Sequence, residues 1–367
     1  MACGIKIIGY LNAESGIGEV ARLLIRAIEE AQIPYSTQIF SRTASRKNHP
    51  FLEKKDCIDS KVNLICINAD QMPHFVKKAD PSFFKESRNI GVWFWELEEF
   101  PTKYLASLNY VDEIWVASDF TRNALSKLTS KPIYTFPLPI LPMDQETSLY
   151  RSSLGIPLDR YLFLYCFDFF SIFNRKNPLG LIKAFKKAFA PNEGPFLLIK
   201  SINGKKHYLK LRKLYKEARG RSDIFILDQY FSNKEKNELM NLCDAYISLH
   251  RAEGFGLTLA EAMSLGKPVI GTHYSGNLTF MNQENSFLCP YELMPVGRGS
   301  APYPSHAVWG EPNLEEAAKL MRYVVKNPKE AQCRGKRAQE ELQKSHSLLN
   351  TVAFIQKRWE EIHAASV

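Results

Sequence analysis

Short apolar runs alternate with helical periods along almost the whole chain. In the first part, the runs Ile5–Leu11, Tyr35–Phe40, Val62–Asn68, Asn89–Trp95, Glu113–Ala117 and Ile133–Phe136 predict strands. Between them, Ile17–Ala31 and Phe120–Leu128 place apolar residues at the 3.6-residue period of helices. Such alternation predicts a parallel sheet with helices on both faces. From Phe136 to Met143 the pattern breaks, because three Pro fall within six residues. Proline lacks the amide that a central strand or helix needs, so this stretch reads as an interdomain linker.

The alternation then resumes. Strands are predicted over Tyr161–Phe167, Phe196–Ser201, Ile224–Leu227, Ala245–Ser248, Pro268–Gly271 and Ser286–Leu288. Helical periods cover Leu179–Phe189, Lys234–Leu242 and Leu257–Leu265, and the tail Asn313–Val367 is expected to be helical throughout. Two consecutive doubly wound α/β domains follow, residues 1–140 and 141–345, with a terminal helix over 346–367 packing back on the first. Ligands of such sheets bind at the carboxyl ends of the strands. With two domains, the cleft between them is the expected place for a two-substrate reaction.

Composition narrows the class. The 367 residues are 45% apolar and 24% charged, ordinary for a globular protein with two cores. No apolar run reaches the roughly 18 residues of a membrane span, and the apolar start at Ile5 leads into a Gly-rich polar turn rather than a signal cleavage site. Seven scattered Cys without a Cys-x-x-Cys pair point to buried thiols in a reducing compartment, and away from a zinc site. A cytoplasmic protein is expected.

The net charge of +9 suggests an anionic partner. One basic cluster, Arg42 to Lys55, lies on the first domain and is a candidate for contact with the inner face of an anionic membrane. The other runs from Lys200 to Arg221. There Leu209, Leu211 and Leu214 read as the apolar stripe of a helix, leaving the charges on a solvated face. No nucleic-acid motif accompanies either cluster.

Candidate chemistry concentrates in His250-Arg251-Ala252-Glu253-Gly254-Phe255-Gly256-Leu257-Thr258-Leu259-Ala260-Glu261. It follows a strand and opens a helix. Gly254 and Gly256 permit a tight turn and close approach of a ligand. The helix N-terminus presents free N–H groups and a positive dipole end to an anion. Glu253 stands before that helix, and Glu261 lies one to two turns inside it, in reach of a diol.

This block resembles the Glu-x7-Glu signature of retaining glycosyltransferase family four, the group 1 glycosyltransferases, whose members have the GT-B fold of two Rossmann-like domains facing across a cleft. The later stretch Tyr274-Ser275-Gly276-Asn277-Leu278-Thr279-Phe280 resembles that family's second Gly-containing loop, with Thr279 where relatives usually carry an acid. The resemblance implies that Glu253 contacts the donor sugar and Glu261 the ribose hydroxyls. It implies that the amides of Phe255, Gly256 and Leu257 hold the diphosphate, and that Gly276 and Asn277 close around the sugar. Arg175 and Lys176 are the implied counter-charges for the diphosphate; they are adjacent here, where relatives space them apart.

In the first domain, Gly16 and Gly18 occupy the loop that approaches the reaction centre in relatives. Trp95 and Glu96 stand where many relatives carry a His, and His74 is another candidate for that role. Tyr230, with Phe231, lies where a base would pack. The expected partners are therefore a UDP- or GDP-sugar donor and a glycan or lipid-linked acceptor, with no cofactor and, since no Asp-x-Asp occurs, no metal. The rival expectations are a sugar phosphorylase on the same fold and a non-catalytic nucleotide-sugar-binding module.

Overall fold

A computed structural model describes residues 3–55, 59–85, 87–142 and 151–364. The chain divides into two compact units, Met1–Ile140 with Ser345–Val367, and Leu141–Lys344.

The first unit alternates β1 (Cys3–Gly9), α1 (Gly16–Glu30), β2 (Tyr35–Ile39), β3 (Asp59–Cys66), α2 (Met72–Val76), β4 (Arg88–Val92), β5 (Glu113–Val116), α3 (Asp119–Ser126) and β6 (Ile133–Thr135). Its sheet has the order β2-β1-β3-β4-β5-β6, with every neighbouring pair parallel. The strands read as near-continuous apolar runs because helices cover both faces: Ile7, Ile8, Leu64, Ile65, Ile90, Val92, Ile114 and Val116 are all buried. The chain winds one way from β1 to β2 and the other way from β3 onward, so the topological switch point lies between β1 and β3.

The second unit runs β7 (Leu162–Asp168), α4 (Phe173–Lys176), α5 (Pro178–Ala188), β8 (Phe196–Ile202), α6 (Tyr208–Ala218), β9 (Ile224–Asp228), α7 (Asn233–Leu242), β10 (Ala245–Ser248), α8 (Leu257–Ser264), β11 (Val269–Thr272) and β12 (Phe287–Cys289). A hairpin β13 (Tyr291–Pro295) and β14 (Val308–Pro312) and two helices, α9 (Leu314–Lys326) and α10 (Pro328–Ser345), follow. The six-stranded parallel sheet has the order β12-β11-β10-β7-β8-β9, which puts the switch point between β7 and β10.

The tail is helical, as three successive helices. It breaks at Asn327, ahead of Pro328, and again at 346–347, before α11 (Leu348–Ala364). This last helix returns to the first unit. Phe354 packs edge-on against Trp115 at 4.9 Å, and Arg358 Nη2 donates to Glu113 Oε2 at 2.7 Å with both side chains buried. Thr351 Oγ1 donates to Pro137 O at 2.6 Å, and His346 Nδ1 lies 3.0 Å from Leu138 O. Pro137 and Leu138 of the expected linker supply these carbonyls; the linker's Met143 end lies outside the described residues.

One element was not anticipated from the sequence, and one expectation needs correction. The Pro- and Gly-rich stretch 294–309, which has no strand signature, contributes to the antiparallel β13–β14 hairpin. The expected apolar stripe of α6 is buried only in part: Leu214 is buried together with Ala218 and Leu211 is half-buried, whereas Leu209 points outward. Among the described residues, no helix is long and apolar enough to cross a membrane.

Candidate active site

The switch point of the second sheet sets adjacent strands β7 and β10 side by side, so the segments leaving their carboxyl ends meet. Residues 169–177 leave β7 and residues 249–256 leave β10. Main-chain and side-chain bonds lock them together. Arg251 N donates to Arg175 O at 2.7 Å, and Asn177 Nδ2 donates to Leu249 O at 2.9 Å. Asn177 adopts a left-handed backbone (φ 51°) and caps α5 through Gly180 N, with Pro178 in the first turn, where a missing amide costs nothing.

That lock brings the predicted Arg175 and Lys176 onto Glu253. Lys176 Nζ lies 2.5 Å from Glu253 Oε1, and Arg175 Nη1 lies 3.1 Å from Oε2. Arg175 Nη1 also donates to Ala252 O at 2.7 Å. Arg175 and Glu253 are buried. Burial alone pushes the Glu253 carboxyl up, but the Lys176 and Arg175 cations beside it more than offset this and hold it at about 2. Glu253 is therefore a carboxylate with two fixed counter-cations.

His250, which the sequence reading quoted but gave no role, organises the next layer. It is fully buried between Ser248 Oγ, 3.0 Å from Nδ1, and Asn277 Oδ1, 3.0 Å from Nε2. Asn277 Nδ2 donates to Thr272 O at 3.0 Å, which turns the amide oxygen toward the imidazole. Nε2 thus carries the proton and Nδ1 accepts from Ser248. Desolvation lowers the His250 pKa to about 4, keeping the ring neutral near pH 7.

The loop that follows β11 is held by the same group of atoms. Glu253 N donates to Ser275 Oγ at 2.8 Å, and Gly276 N donates to Glu253 O at 2.9 Å. A Cβ at Gly276 would stand 2.2 Å from Gly254 O, so the predicted Gly276 and Gly254 are in backbone contact. Gly256 caps α8 with φ 96°, a conformation that suits glycine, and Phe255 packs on Phe280 at 4.9 Å. The first amides of α8, beginning at Leu257, follow directly.

Glu261, in the second turn of α8, is buried. Its Oε1 accepts from Lys236 Nζ at 2.6 Å, while Oε2 has no hydrogen-bond partner. Nothing in the spacing of Lys236 on α7 signalled this pair. Across the ends of β7, β8 and β9 runs a second polar chain: Tyr230 Oη donates to Asn203 Oδ1 at 2.6 Å, and Asn203 Nδ2 donates to Asp168 Oδ1 at 2.7 Å. Lys200 is buried nearby over the Phe231 ring at 5.5 Å, and burial lowers its pKa.

The remaining predicted residues lie in the first unit. Gly18 is pressed against main chain, since a Cβ there would sit 2.7 Å from both Ala13 O and Tyr10 O; at Gly16 it would meet open space. Trp95 is buried, with its indole N–H donating to Glu99 O at 2.8 Å and its ring against Phe100 at 5.3 Å. Glu96 contributes charge beside Asp70, whose pKa is raised first by burial and further by Glu96. His74 is half-buried in α2.

Comparison with known proteins fits this geometry. The family model described as glycosyl transferases group 1 matches residues 148–295, which contain the whole second-unit constellation. No curated protein matches the chain. Among solved structures, sucrose-phosphate synthase from Thermosynechococcus elongatus superposes with a TM-score of 0.71 at 14% identity, covering 100% of both chains. Anabaena HepE, in complex with UDP and glucose, superposes with a TM-score of 0.69 at 13% identity, covering 98% of this chain and all of its own. The pneumococcal O-GlcNAc transferase GtfA, with UDP and GlcNAc, gives 0.56 at 15% identity over 82% of this chain and 56% of its own. The fold is thus of the GT-B type, with two doubly wound parallel sheets.

Proposed function

We propose that the chain is a retaining glycosyltransferase that moves a hexose-type sugar from a UDP- or GDP-sugar to a hydroxyl of a glycan or lipid-linked acceptor. The observation that carries the reading is the Arg175–Lys176–Glu253 cluster, with Arg175 and Glu253 buried, beside the amino end of α8. Cations and free helix amides at one place suit a diphosphate. A family-model match over the same residues, and neighbours solved with UDP, support it.

In this reading the diphosphate lies on the amides of Phe255, Gly256 and Leu257. The ribose hydroxyls take the open Oε2 of Glu261. Glu253, kept ionised, orients the sugar hydroxyls, and the turn at Gly276 and Asn277 closes over the ring. The acceptor oxygen forms a bond to the anomeric carbon as the bond to the diphosphate breaks. The electron pair leaves with the diphosphate, stabilised by Arg175 and Lys176 without a metal or other cofactor. A phosphate oxygen takes the acceptor's proton. Attack from the face the nucleotide leaves retains the anomeric configuration. Gly16, Gly18, Trp95, Glu96 and His74 belong to the acceptor side, and Tyr230 to the base.

A panel of nucleotide sugars tests this, read by thermal shift, nucleotide release and NMR of the product anomer. Release of UDP or GDP from one donor, with a retained anomer and loss in Glu261→Ala, is expected. An inverted anomer would overturn retention. Donor binding without turnover would favour a binding module, and turnover only with inorganic phosphate would favour a phosphorylase.

A further inference from the structure

We propose that the outward face of α6 is a docking surface for an anionic lipid bilayer. The proposal stands apart from the assignment of the catalytic residues, which lie elsewhere in the second unit.

Three observations carry it. The first is orientation. At 100° per residue, Tyr208, Arg212, Tyr215, Lys216, Leu209 and Lys213 fall on one continuous arc of the helix, opposite the buried Leu214 and Ala218. Tyr208 is 64% exposed, Leu209 72% and Tyr215 50%. Cations and large apolar groups therefore interleave on a single outward face.

The second is charge. Between residues 205 and 219 the sequence holds Lys205, Lys206, Lys210, Arg212, Lys213, Lys216 and Arg219 against one acid, Glu217. Among the described residues, none of these seven cations has a carboxylate within ion-pair distance. Pairing resumes at Arg221, which lies 2.7 Å from Asp223.

The third is contrast within the molecule. Exposed cations on other helices find acids: Lys319 with Glu316 on α9, Arg334 with Glu330 on α10, Lys357 with Glu361 on α11, and Lys187 of the otherwise acid-free α5 with Glu315 of α9. The basic loop of the first unit is also partly engaged, since Arg46 Nη2 donates to Glu14 at 2.8 Å and Lys54 sits over Tyr35 at 4.1 Å. Against these, the outward face of α6 presents a run of cations without an ion-pair partner among the described residues.

A surface with one sign of charge needs an anionic partner. Each Lys or Arg close to an anionic leaflet strengthens attachment severalfold. A soluble polyanion would be satisfied by the cations alone. A bilayer also takes up the aliphatic and aromatic side chains standing among them, with Tyr rings at headgroup depth and Leu209 below. That combination selects the membrane.

Vesicle flotation of the full chain tests this. Phosphatidylcholine vesicles with and without phosphatidylglycerol are compared. Flotation with the anionic vesicles alone is expected, and release in about 1 M salt, where charges are screened beyond about 3 Å. Reversal of three outward charges (Arg212→Glu, Lys213→Glu, Lys216→Glu) is expected to weaken flotation by roughly tenfold or more. Tyr208→Ser with Leu209→Ser, which keeps every charge, is expected to weaken it severalfold. These exposed positions leave the core intact, and an unchanged melting temperature verifies that. No flotation at low salt overturns the proposal. So does flotation that survives the α6 reversals but is lost on Arg42→Glu with Lys47→Glu. Binding to a single-stranded oligonucleotide or a sulfated polysaccharide that ignores the Tyr208/Leu209 change overturns it in favour of a soluble polyanion.

Discussion

Lys236 Nζ lies 2.6 Å from Glu261 Oε1, while Oε2 of the same buried carboxylate has no hydrogen-bond partner. The cation fixes the carboxylate and its orientation, and the other oxygen stays available to a ligand. Glu261→Gln keeps the shape and removes the charge. It is expected to weaken binding of the donor by about tenfold to a hundredfold, the worth of a hydrogen bond to a charged group. Lys236→Met leaves the carboxylate buried beside an apolar stem and is expected to lower stability by ~1–3 kcal/mol. Combining the two substitutions should restore much of that loss, because no lone buried charge remains. Titration calorimetry reads the first effect and thermal melts the others.

The two cations on Glu253 differ in setting, and that difference separates their roles. Arg175 Nη1 is anchored to Ala252 O as well as to the carboxylate, whereas the Lys176 ammonium is joined to Glu253 Oε1 at the more exposed end of the cluster. Lys176→Met is expected to lower kcat about 10²–10³-fold, as for loss of one preorganised donor to a developing anion. Donor affinity should change much less. Arg175→Met removes a buried support of the loop and is expected to lower the melting temperature as well. Steady-state kinetics beside thermal melts resolves the two patterns.

The buried His250 makes stability depend on pH in a stated direction. Its folded pKa of about 4 lies below the ordinary value near 6.5, so the unfolded chain takes up a proton that the folded one refuses. The contribution is fully present above about pH 6.5 and is lost as pH falls from there toward 4, by up to ~1.4 kcal/mol per pH unit. Glu253 has the usual carboxylate sign and adds its loss at lower pH, from the ordinary range near 4.3 down to about 2. Denaturant melts of His250→Gln should show a slope shallower by up to one proton between pH 6.5 and 4. An unchanged slope would mean that the ring is charged in the fold.

Much of this was legible in the sequence because the signals were local. Apolar runs such as Ile5–Leu11 and Val62–Asn68 marked buried parallel strands, and Glu253-Gly254-Phe255-Gly256 marked a strand–turn–helix with an anion-facing end. The adjacency of Arg175 and Glu253 was legible only through resemblance. Physically it follows from β7 and β10 being neighbours at the switch point, a pairing that no local pattern encodes. His250 and Lys236 act through partners 25 or more residues away, Ser248 acts through the buried His250 two residues on, and their own residue types are unremarkable on helix and strand surfaces. Leu209 misled for the converse reason. Its spacing from Leu211 and Leu214 matched a helical stripe, yet the sheet covers the Leu214–Ala218 side of α6.

The glycines give a closing test of how tightly the site is assembled. At Gly276, an added Cβ meets Gly254 O at 2.2 Å and Glu253 O at 2.8 Å, and neither is a flexible side-chain end. Gly276→Ala must therefore push the loop after β11 away from Glu253, stretching the Gly276 N to Glu253 O bond and the Ser275 contact to Glu253 N. The expected cost is ~1–3 kcal/mol, with donor binding impaired beyond that. Gly18→Ala drives its methyl onto Ala13 O and Tyr10 O at 2.7 Å and is expected to cost a similar amount. Gly16 is the internal control. It starts α1, its Cβ would meet open space, and alanine there restricts the unfolded chain, so Gly16→Ala should be neutral or stabilising by up to ~1 kcal/mol. Melting temperatures of the three variants, with donor titration of Gly276→Ala, read this order directly. A tolerated Gly276→Ala would show that the second loop is not packed on the Glu253 turn.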